Sequence, residues 1–529
     1  MLRRVLLGTL LLVLGASSAN AAITEQALLD SLQRTAFDYF WDEANPTNGL
    51  IKDRNQAGSP ASIASMGFGF SAICIGIDHG WVTRSDGRAR ILTALQTLWN
   101  APQGSGASGF IGYKGLYYHF LDMNTAVRVW DSELSTIDTA LLFAGIIDAK
   151  HYFNTADSLD GVVRALADSI THRADWQFMR NSALPNAGLR MGWKPGTGFS
   201  GFGQWIGYNE AMIMYIIALG SPTFPITSPA WTTWTSGYDW QTWYGQTYVN
   251  FPPLFGHQYS HCWIDFEGIQ DAYMLSKGID YFENSRRATI AAREYCIANP
   301  FGHIGYDGNV WGLTAGDGPF GYEARGAPPQ QNDDGTITPT AAASSIPFAP
   351  EIVVPSLQYL YDTYGTQLWT KYGFRDGFNL NFAWWGPDVI GIDQGPIIMM
   401  IENYLNRSVW NRFMQDEDIL RGLARAGFTS YTSVGPAAPG SEPRVWLAQN
   451  APNPFRALTT IGYRLPAPGY VRLTLYDVTG REISRLVDGD RSAGAHEVVL
   501  GSEKLASGVY TYRIESGGET SHRRLVLLR

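Results

Sequence analysis

The chain has 529 residues, 45 % of them hydrophobic and 16 % charged, with a net charge of −9. That length and balance exclude a disordered chain and predict more than one domain. The first 440 residues carry no basic stripe, which excludes a nucleic-acid partner. Aromatics reach 13 %, with 18 Trp and 27 Tyr. A large core could absorb them, and so could a surface that stacks on pyranose rings; composition leaves both open.

In chain order, residues 1–21 read as an export signal peptide. Arg3 and Arg4 precede a short apolar run, and Ala19-Asn20-Ala21 is a small-x-small cleavage site. The run is too short for an anchor, and no later stretch is apolar enough to span a bilayer. Cys74, Cys262 and Cys296 provide no disulfide framework, with room for one bridge between Cys262 and Cys296.

From residue 25 to about 428 the period is helical. Leu28, Leu29, Leu32, Ala36 and Tyr39 mark one face of a first helix. Residues 62–80 are apolar nearly all round, as in a helix buried on several sides. Further helices are predicted at 88–99, 132–153, 159–173, 208–219, 229–244, 260–277, 281–298, 349–364, 367–372 and 393–405. About twelve helices joined by long Gly-, Pro- and aromatic-rich loops predict an all-α (α/α)6 toroid whose loops line a cleft.

Five segments carry candidate chemistry. Trp130-Asp131-Ser132-Glu133 leads to Asp138, and a continuous helix would put Asp131 and Asp138 on one face. Asp138 lies among Ile137, Leu141 and Leu142, so it must be paired or face a polar cleft. Tyr208-Asn209-Glu210 opens a wholly apolar helix. Glu210 there either complements the helix dipole or is an acid raised by desolvation. His257, Tyr259, His261, Trp263 and Asp265 form a third group. On a helix the two histidines and Asp265 would align at i, i+4 and i+8, but no fourth ligand or zinc pattern follows, so polar lining of a sugar cleft is preferred to a metal site. Trp311 and Asp317-Gly318-Pro319 are a fourth group, with a plain turn as the alternative. Asp393 follows the Trp384-Trp385 loop and precedes an apolar helix, either as an N-cap or as a carboxylate at an aromatic wall. Trp193 is a further stacking candidate. Glycoside cleavage needs two carboxyls, one acid and one base, which this set can supply without identifying the pair.

After a Ser-, Thr-, Gly- and Pro-rich linker at 429–442 the period becomes two. Val471, Leu473 and Leu475 alternate with Arg472, Thr474 and Tyr476. Ile483, Val498, Tyr510, Tyr512, Leu525 and Leu527 lie in similar runs, predicting a small antiparallel all-β sandwich over 443–529. This tail carries 12 Lys and Arg against 8 Asp and Glu, a break in charge balance that supports the boundary.

Taken together, Ser132–Ala140, the runs at 255–265 and 280–287 (DYFENSRR), Asn309-Val310-Trp311-Gly312-Leu313-Thr314 and the run at 391–396 resemble the bacterial glucoamylase-like domain. Its relatives include the β-1,2-glucanases of glycoside hydrolase family 144. The resemblance covers most of residues 25–428. It implies an (α/α)6 barrel cleaving β-1,2-glucan with inversion, Glu210 on the acid side, Asp393 on the base side, and Glu133 and Asp138 in the cleft. Gly316 departs from the family pattern, which often has Cys there; no effect on the chemistry is expected. In the tail, Asn450-Ala451-Pro452-Asn453-Pro454-Phe455, YDVTGREI (476–483) and SGVYTYRI (507–514) resemble the immunoglobulin-like C-terminal domains of exported proteins, related to type IX secretion sorting signals.

The expectation is therefore an exported monomeric glycosidase, endo-acting on β-1,2-glucan, at the cell surface, outside the cell or in the periplasm. Its partners are a polysaccharide or oligosaccharide and the secretion machinery, with no metal or cofactor. Exo action, an α-glucan glucoamylase and a non-catalytic glycan-binding protein are the alternatives. Four carboxylates, where amides would serve for binding alone, argue against the last.

Overall fold

The computed structural model describes residues 23–180, 188–328, 332–430, 445–447, 450, 455–465, 467–477, 481–503 and 505–527. The signal peptide, residues 431–442 of the predicted linker, residues 451–454 of the Asn-Ala-Pro motif and residues 478–480 of the YDVTGREI run lie outside them. The chain divides into two compact units. One holds the residues up to Asp265 with Phe282–Ile401 and Val409–Ala426; the other holds Phe266–Tyr281, Glu402–Ser408 and everything from Gly427 onward.

Fourteen α-helices are described: α1 (Glu25–Asp42), α2 (Ile63–Asp78), α3 (Arg84–Asn100), α4 (Thr136–Tyr152), α5 (Ser158–His172), α6 (Met212–Gly220), α7 (Pro229–Thr235), α8 (Ala272–Lys277), α9 (Tyr281–Ala298), α10 (Pro339–Ala343), α11 (Pro350–Leu368), α12 (Gly391–Asn406), α13 (Ser408–Phe413) and α14 (Glu417–Ala426). Hydroxyl caps start several of them. Thr24, Ser62, Thr83 and Ser135 each accept an N–H from the first turn of their helix. As predicted from its all-round apolar sequence, α2 is buried continuously from Ile63 to Gly76.

The central helices cross at glycines. A Cβ on Gly145 of α4 would come within 1.8 Å of the Gly67 carbonyl oxygen of α2. A Cβ on Gly220 of α6 would come within 1.9 Å of the Asp418 carbonyl oxygen of α14. No larger residue permits backbones this close.

Several predicted elements differ. The helix expected at 132–153 begins only at Thr136, because Leu134–Ser135 pairs as a strand with Gly192–Trp193 and Ser135 then caps α4. The helix expected at 229–244 stops at Thr235, and a hairpin of Trp240–Trp243 with Gln246–Val249 replaces its end. Residues 260–277 hold a 3-10 turn (Ser260–Cys262), an irregular stretch and then α8. The helix expected at 367–372 is the end of α11 followed by a tight hairpin, Trp369–Thr370 with Gly373–Phe374. Cys74, Cys262 and Cys296 are all buried free thiols, so the bridge allowed from sequence does not form.

In the second unit, Glu482–Arg491, Gly469–Tyr476, Gly508–Ser516 and Glu519–Leu527 form a four-stranded antiparallel sheet in that order. A second sheet joins Trp446–Leu447, Leu458–Leu465 and Gly494–Gly501. Both sheets feed one apolar core, in which the alternating Val471, Leu473 and Leu475 are buried as predicted, with Tyr512, Leu525 and Leu527. Thr429–Ser430, at the start of the predicted linker, pairs instead with Ile269–Gln270.

Candidate active site

The first unit gathers two acidic clusters. Glu210 lies in the turn just before α6. No side chain of that turn caps the helix. Ser260, from the 3-10 turn, does so from outside: its hydroxyl accepts the Ile213 N–H at 3.0 Å and donates to the Glu210 carbonyl at 3.0 Å. The Asn209 side chain accepts the Ala211 N–H at 3.0 Å. These contacts start the helix at Met212 and leave Glu210 projecting from its mouth. Its Oε2 is buried with no donor. Burial first, and then the charge of Asp138, push its carboxyl up to about 7.

Asp138, in the first turn of α4, accepts the Ser135 hydroxyl. Beside it stands His119, which sequence reasoning missed. Its Nδ1 is 2.9 Å from Glu133 Oε1 and its Nε2 is 3.6 Å from Asp138 Oδ2. Burial lowers the imidazole, but Asp138 and Glu133 together override it and lift it to about 9. Burial likewise raises Glu133, and the His119 hydrogen bond and charge outweigh it, leaving this carboxyl below its ordinary value. Ligand-type atoms of His119, Glu133 and Asp138 lie within 4.8 Å of one another. Each ring nitrogen already faces a carboxylate, so the geometry is that of an imidazolium held between two anions.

The second cluster is built on Asp393, in the first turn of α12, where the Thr340 hydroxyl bonds its carbonyl at 3.0 Å. The Asp376 carboxyl lies next to that of Asp393, and each acts on the other. Asp376 Oδ2 also accepts the Asp317 N–H. Asp317 lies on the hairpin Ala315–Gly318 with Gly321–Ala324, directly across from Tyr322. Arg54 bridges the cluster, its Nη1 lying 2.9 Å from Asp317 and 3.1 Å from Asp388. Burial and the neighbouring Asp376 charge raise Asp393 well above the carboxylate range; burial chiefly lifts Asp376 to about 6. The Tyr259 hydroxyl is raised by burial and, less strongly, by the charges of Asp393 and Glu210.

The remaining predicted residues separate into three places. Trp130 and Asp131 are exposed, both at positive φ, and Asp131 pairs with Arg128 at 2.6 Å and Lys194 at 3.4 Å. Because α4 starts after them, Asp131 and Asp138 do not share a helix face. Trp193 packs on Tyr113 and Phe178 at 5.2 and 5.9 Å. His257, His261, Trp263 and Trp311 are fully buried. His257 bonds the Phe251 carbonyl and packs on Tyr208, itself buried; burial lowers its ring to about 3. His261 lies against Phe348 and Ser285, and Trp263 bonds the Ser71 hydroxyl from the face of Phe68. Asp265 lies past the 3-10 turn, so the i, i+4, i+8 alignment with the histidines is not formed. Asp53, Arg54, His119, Asp376 and Asp388 were not singled out from sequence. Their one signal is that each is a charge inside a Gly- or aromatic-rich loop.

The chain matches a family model described as "Putative glucoamylase" over residues 203–417 and one described as "Secretion system C-terminal sorting domain" over residues 451–528. A structure described as a "putative glucoamylase" from Bacteroides uniformis is 35 % identical, with a TM-score of 0.71 over 77 % of this chain and 98 % of that one. An endo-β-1,2-glucanase from Chitinophaga pinensis, in complex with sophorotriose and glucose, is 29 % identical with a TM-score of 0.71, covering 77 % of this chain and 99 % of that one. An exo β-1,2-glucooligosaccharide sophorohydrolase of Parabacteroides distasonis is 31 % identical over 77 % of this chain, which spans 59 % of that relative's length. The C-terminal sorting domain marks the protein for export to the surface or the medium. No helix among the described residues is long and apolar enough to cross a membrane.

Proposed function

This chain belongs to the bacterial glucoamylase-like family, and we propose that it is an exported glycoside hydrolase cleaving β-1,2-glucan within the chain, with inversion. The observation that carries this reading is the pair of unlike buried acid sites, Glu210 and Asp393, both of which act on the buried Tyr259 hydroxyl. Glu210, raised to about 7, suits a general acid at neutral pH. In the proposed step Glu210 gives its proton to the leaving glycosidic oxygen as the bond to the anomeric carbon breaks. Water attacks that carbon from the opposite face and loses a proton to the side of the site held by Asp393.

Glu133, Asp138, Tyr208, Tyr259 and Asp317 would surround the reacting sugar, and Trp130, Asp131 and Trp193 would meet the polymer further out. His257, His261, Trp263, Asp265 and Trp311 would serve as support behind the cleft, in place of the contact role expected from sequence. We further propose that the helices close as an (α/α)6 toroid over residues 22–428 and that residues 443–529 form an immunoglobulin-like domain read by the secretion machinery.

A second reading, exo release of sophorose from non-reducing ends, is favoured by the 31 % identity to the sophorohydrolase. Incubating purified protein with linear β-1,2-glucan, laminarin and starch and sizing the products tests both. Endo action yields a ladder of β-1,2-oligosaccharides from the first alone, and exo action yields sophorose from the outset. Binding without cleavage of any of the three removes the enzymatic reading.

A further inference from the structure

Asp376 and Asp393 are both buried, and their carboxyl groups are close enough to act on one another directly. Asp376 Oδ1 and Asp393 Oδ2 have no donor from any other group. Two carboxylate oxygens cannot bond to each other without a proton between them, and two adjacent buried anions are strongly disfavoured.

Asp376 cannot turn away. Its other oxygen is fixed by the Asp317 N–H, and its own N–H bonds the Asp388 carbonyl at 3.0 Å. Gly316 closes the space beside it, since a Cβ there would stand 3.0 Å from Asp376 Oδ2 and 2.9 Å from the Thr338 hydroxyl. The absence of a side chain at Gly316, neutral for the chemistry when read from sequence alone, therefore shapes the seat of Asp376.

We infer that Asp376 is a positioning residue that shares a single proton with Asp393, so that the two carboxyls meet the substrate water as one monoanionic unit. The inference rests on the reading of Asp393 as the base-side carboxyl. When the unit takes a proton from the attacking water it becomes a neutral pair, and it returns to the monoanion by releasing that proton to solvent once the product has left. The groups facing the pair are Asp53 and Arg54 from the loop after α1, Asp317 and Tyr322 from the hairpin, Tyr259 beside the 3-10 turn, and Asp388 through Arg54. Among the described residues the nearby cations are already engaged, Arg54 by three carboxylates and the buried Arg325, which bonds the Gly316 carbonyl at 2.8 Å, by Asp334 at 2.8 Å, which leaves the shared proton to relieve the repulsion between Asp376 and Asp393.

The test is the pH profile of kcat/KM on linear β-1,2-glucan for Asp376→Asn. The amide oxygen can keep the Asp317 N–H while the NH2 donates to Asp393, so geometry is kept and the shared proton is lost. With no second acid to hold a proton, the acid limb should move down by about one pH unit or more. Asp376→Ser, which removes the carboxyl without adding an amide, should move the limb the same way and stands in if the first variant fails to fold. An acid limb unmoved in a folded variant overturns the shared proton. Asp393→Asn assayed alongside separates the two claims: near wild-type kcat in that variant overturns the base-side reading itself.

Discussion

Replacing Glu210 with Gln removes an acid from the mouth of α6 without changing its size, and the structure fixes two consequences. The first is kinetic. A proton donor held near 7 is correctly protonated in about half the molecules at neutral pH, and losing it should lower kcat on β-1,2-glucan at least ~10²-fold. The second concerns stability and has a definite sign. The folded-state value is raised from 4.5 to about 7, so below about pH 4.5 the neutral acid carries no electrostatic penalty, and stability is lost as pH rises through 7. At about 1.4 kcal/mol per unit, the loss has an upper bound of about 3 kcal/mol, reduced by the part of the residue that meets cleft water. Glu210→Gln never ionises and escapes it. Urea unfolding near pH 4 should find the two proteins alike, and near pH 8 the variant should be the more stable. Near wild-type kcat would remove Glu210 from the reaction. A stability gap that does not widen with pH would refute the burial argument beneath it.

Three further outcomes follow from other parts of the molecule. His119→Gln should destabilise the protein around pH 6. The His119 value is raised from 6.5 to about 9, so its ion-pair contribution is full below 6.5 and the deficit should close as pH passes 9 in the same unfolding assay. Dialysis against EDTA should leave kcat unchanged, because both nitrogens of His119 already face carboxylates; activity lost and then restored by zinc or calcium would overturn this. Deleting residues 443–529 keeps Thr429–Ser430 paired with Ile269–Gln270 and Phe428 packed on Phe266 and Tyr281. The truncated protein should match the full chain in kcat/KM while failing to leave the native host; correct export would defeat the sorting role, and a folded but inactive product would put the tail in the cleft.

The fold was legible where one physical signal dominated. The apolar run of α2, the amphipathic start at Leu28–Tyr39 and the two-residue alternation at Val471–Leu475 each encode burial locally, and each is buried as read. It was misread where tertiary pairing overrides the local period. Residues 132–135 could begin a helix, but Leu134 and Ser135 take a strand partner nearly sixty residues away, and Ser135 then caps the helix one position later. The 260–277 stretch has helical spacing, yet Ser260 serves as the external cap for α6 and Trp263 is drawn against α2, which break the helix that would have aligned His257, His261 and Asp265.

The same distinction explains the site. Glu210, Asp138 and Asp393 stood out because each is a carboxylate beside its own apolar helix, a local contradiction that demands a reason. Asp376, Arg54 and Asp388 carry no such contradiction. In sequence they are ordinary charges in loops, and only the Asp317 hairpin, the strands flanking Asp376 and the chain after α1 bring them together. Their meeting changes what Asp393 can be. Taken alone, a carboxylate at a helix N-terminus is stabilised as an anion by the backbone dipole and would be read as a ready base. Placed against a fixed Asp376, with the nearby Arg54 already engaged by three carboxylates, it holds a share of a proton instead. The chemistry of the base side is therefore a property of the pair: a substitution at Asp393 tests whether it is the base, and only one at Asp376 reads the shared proton.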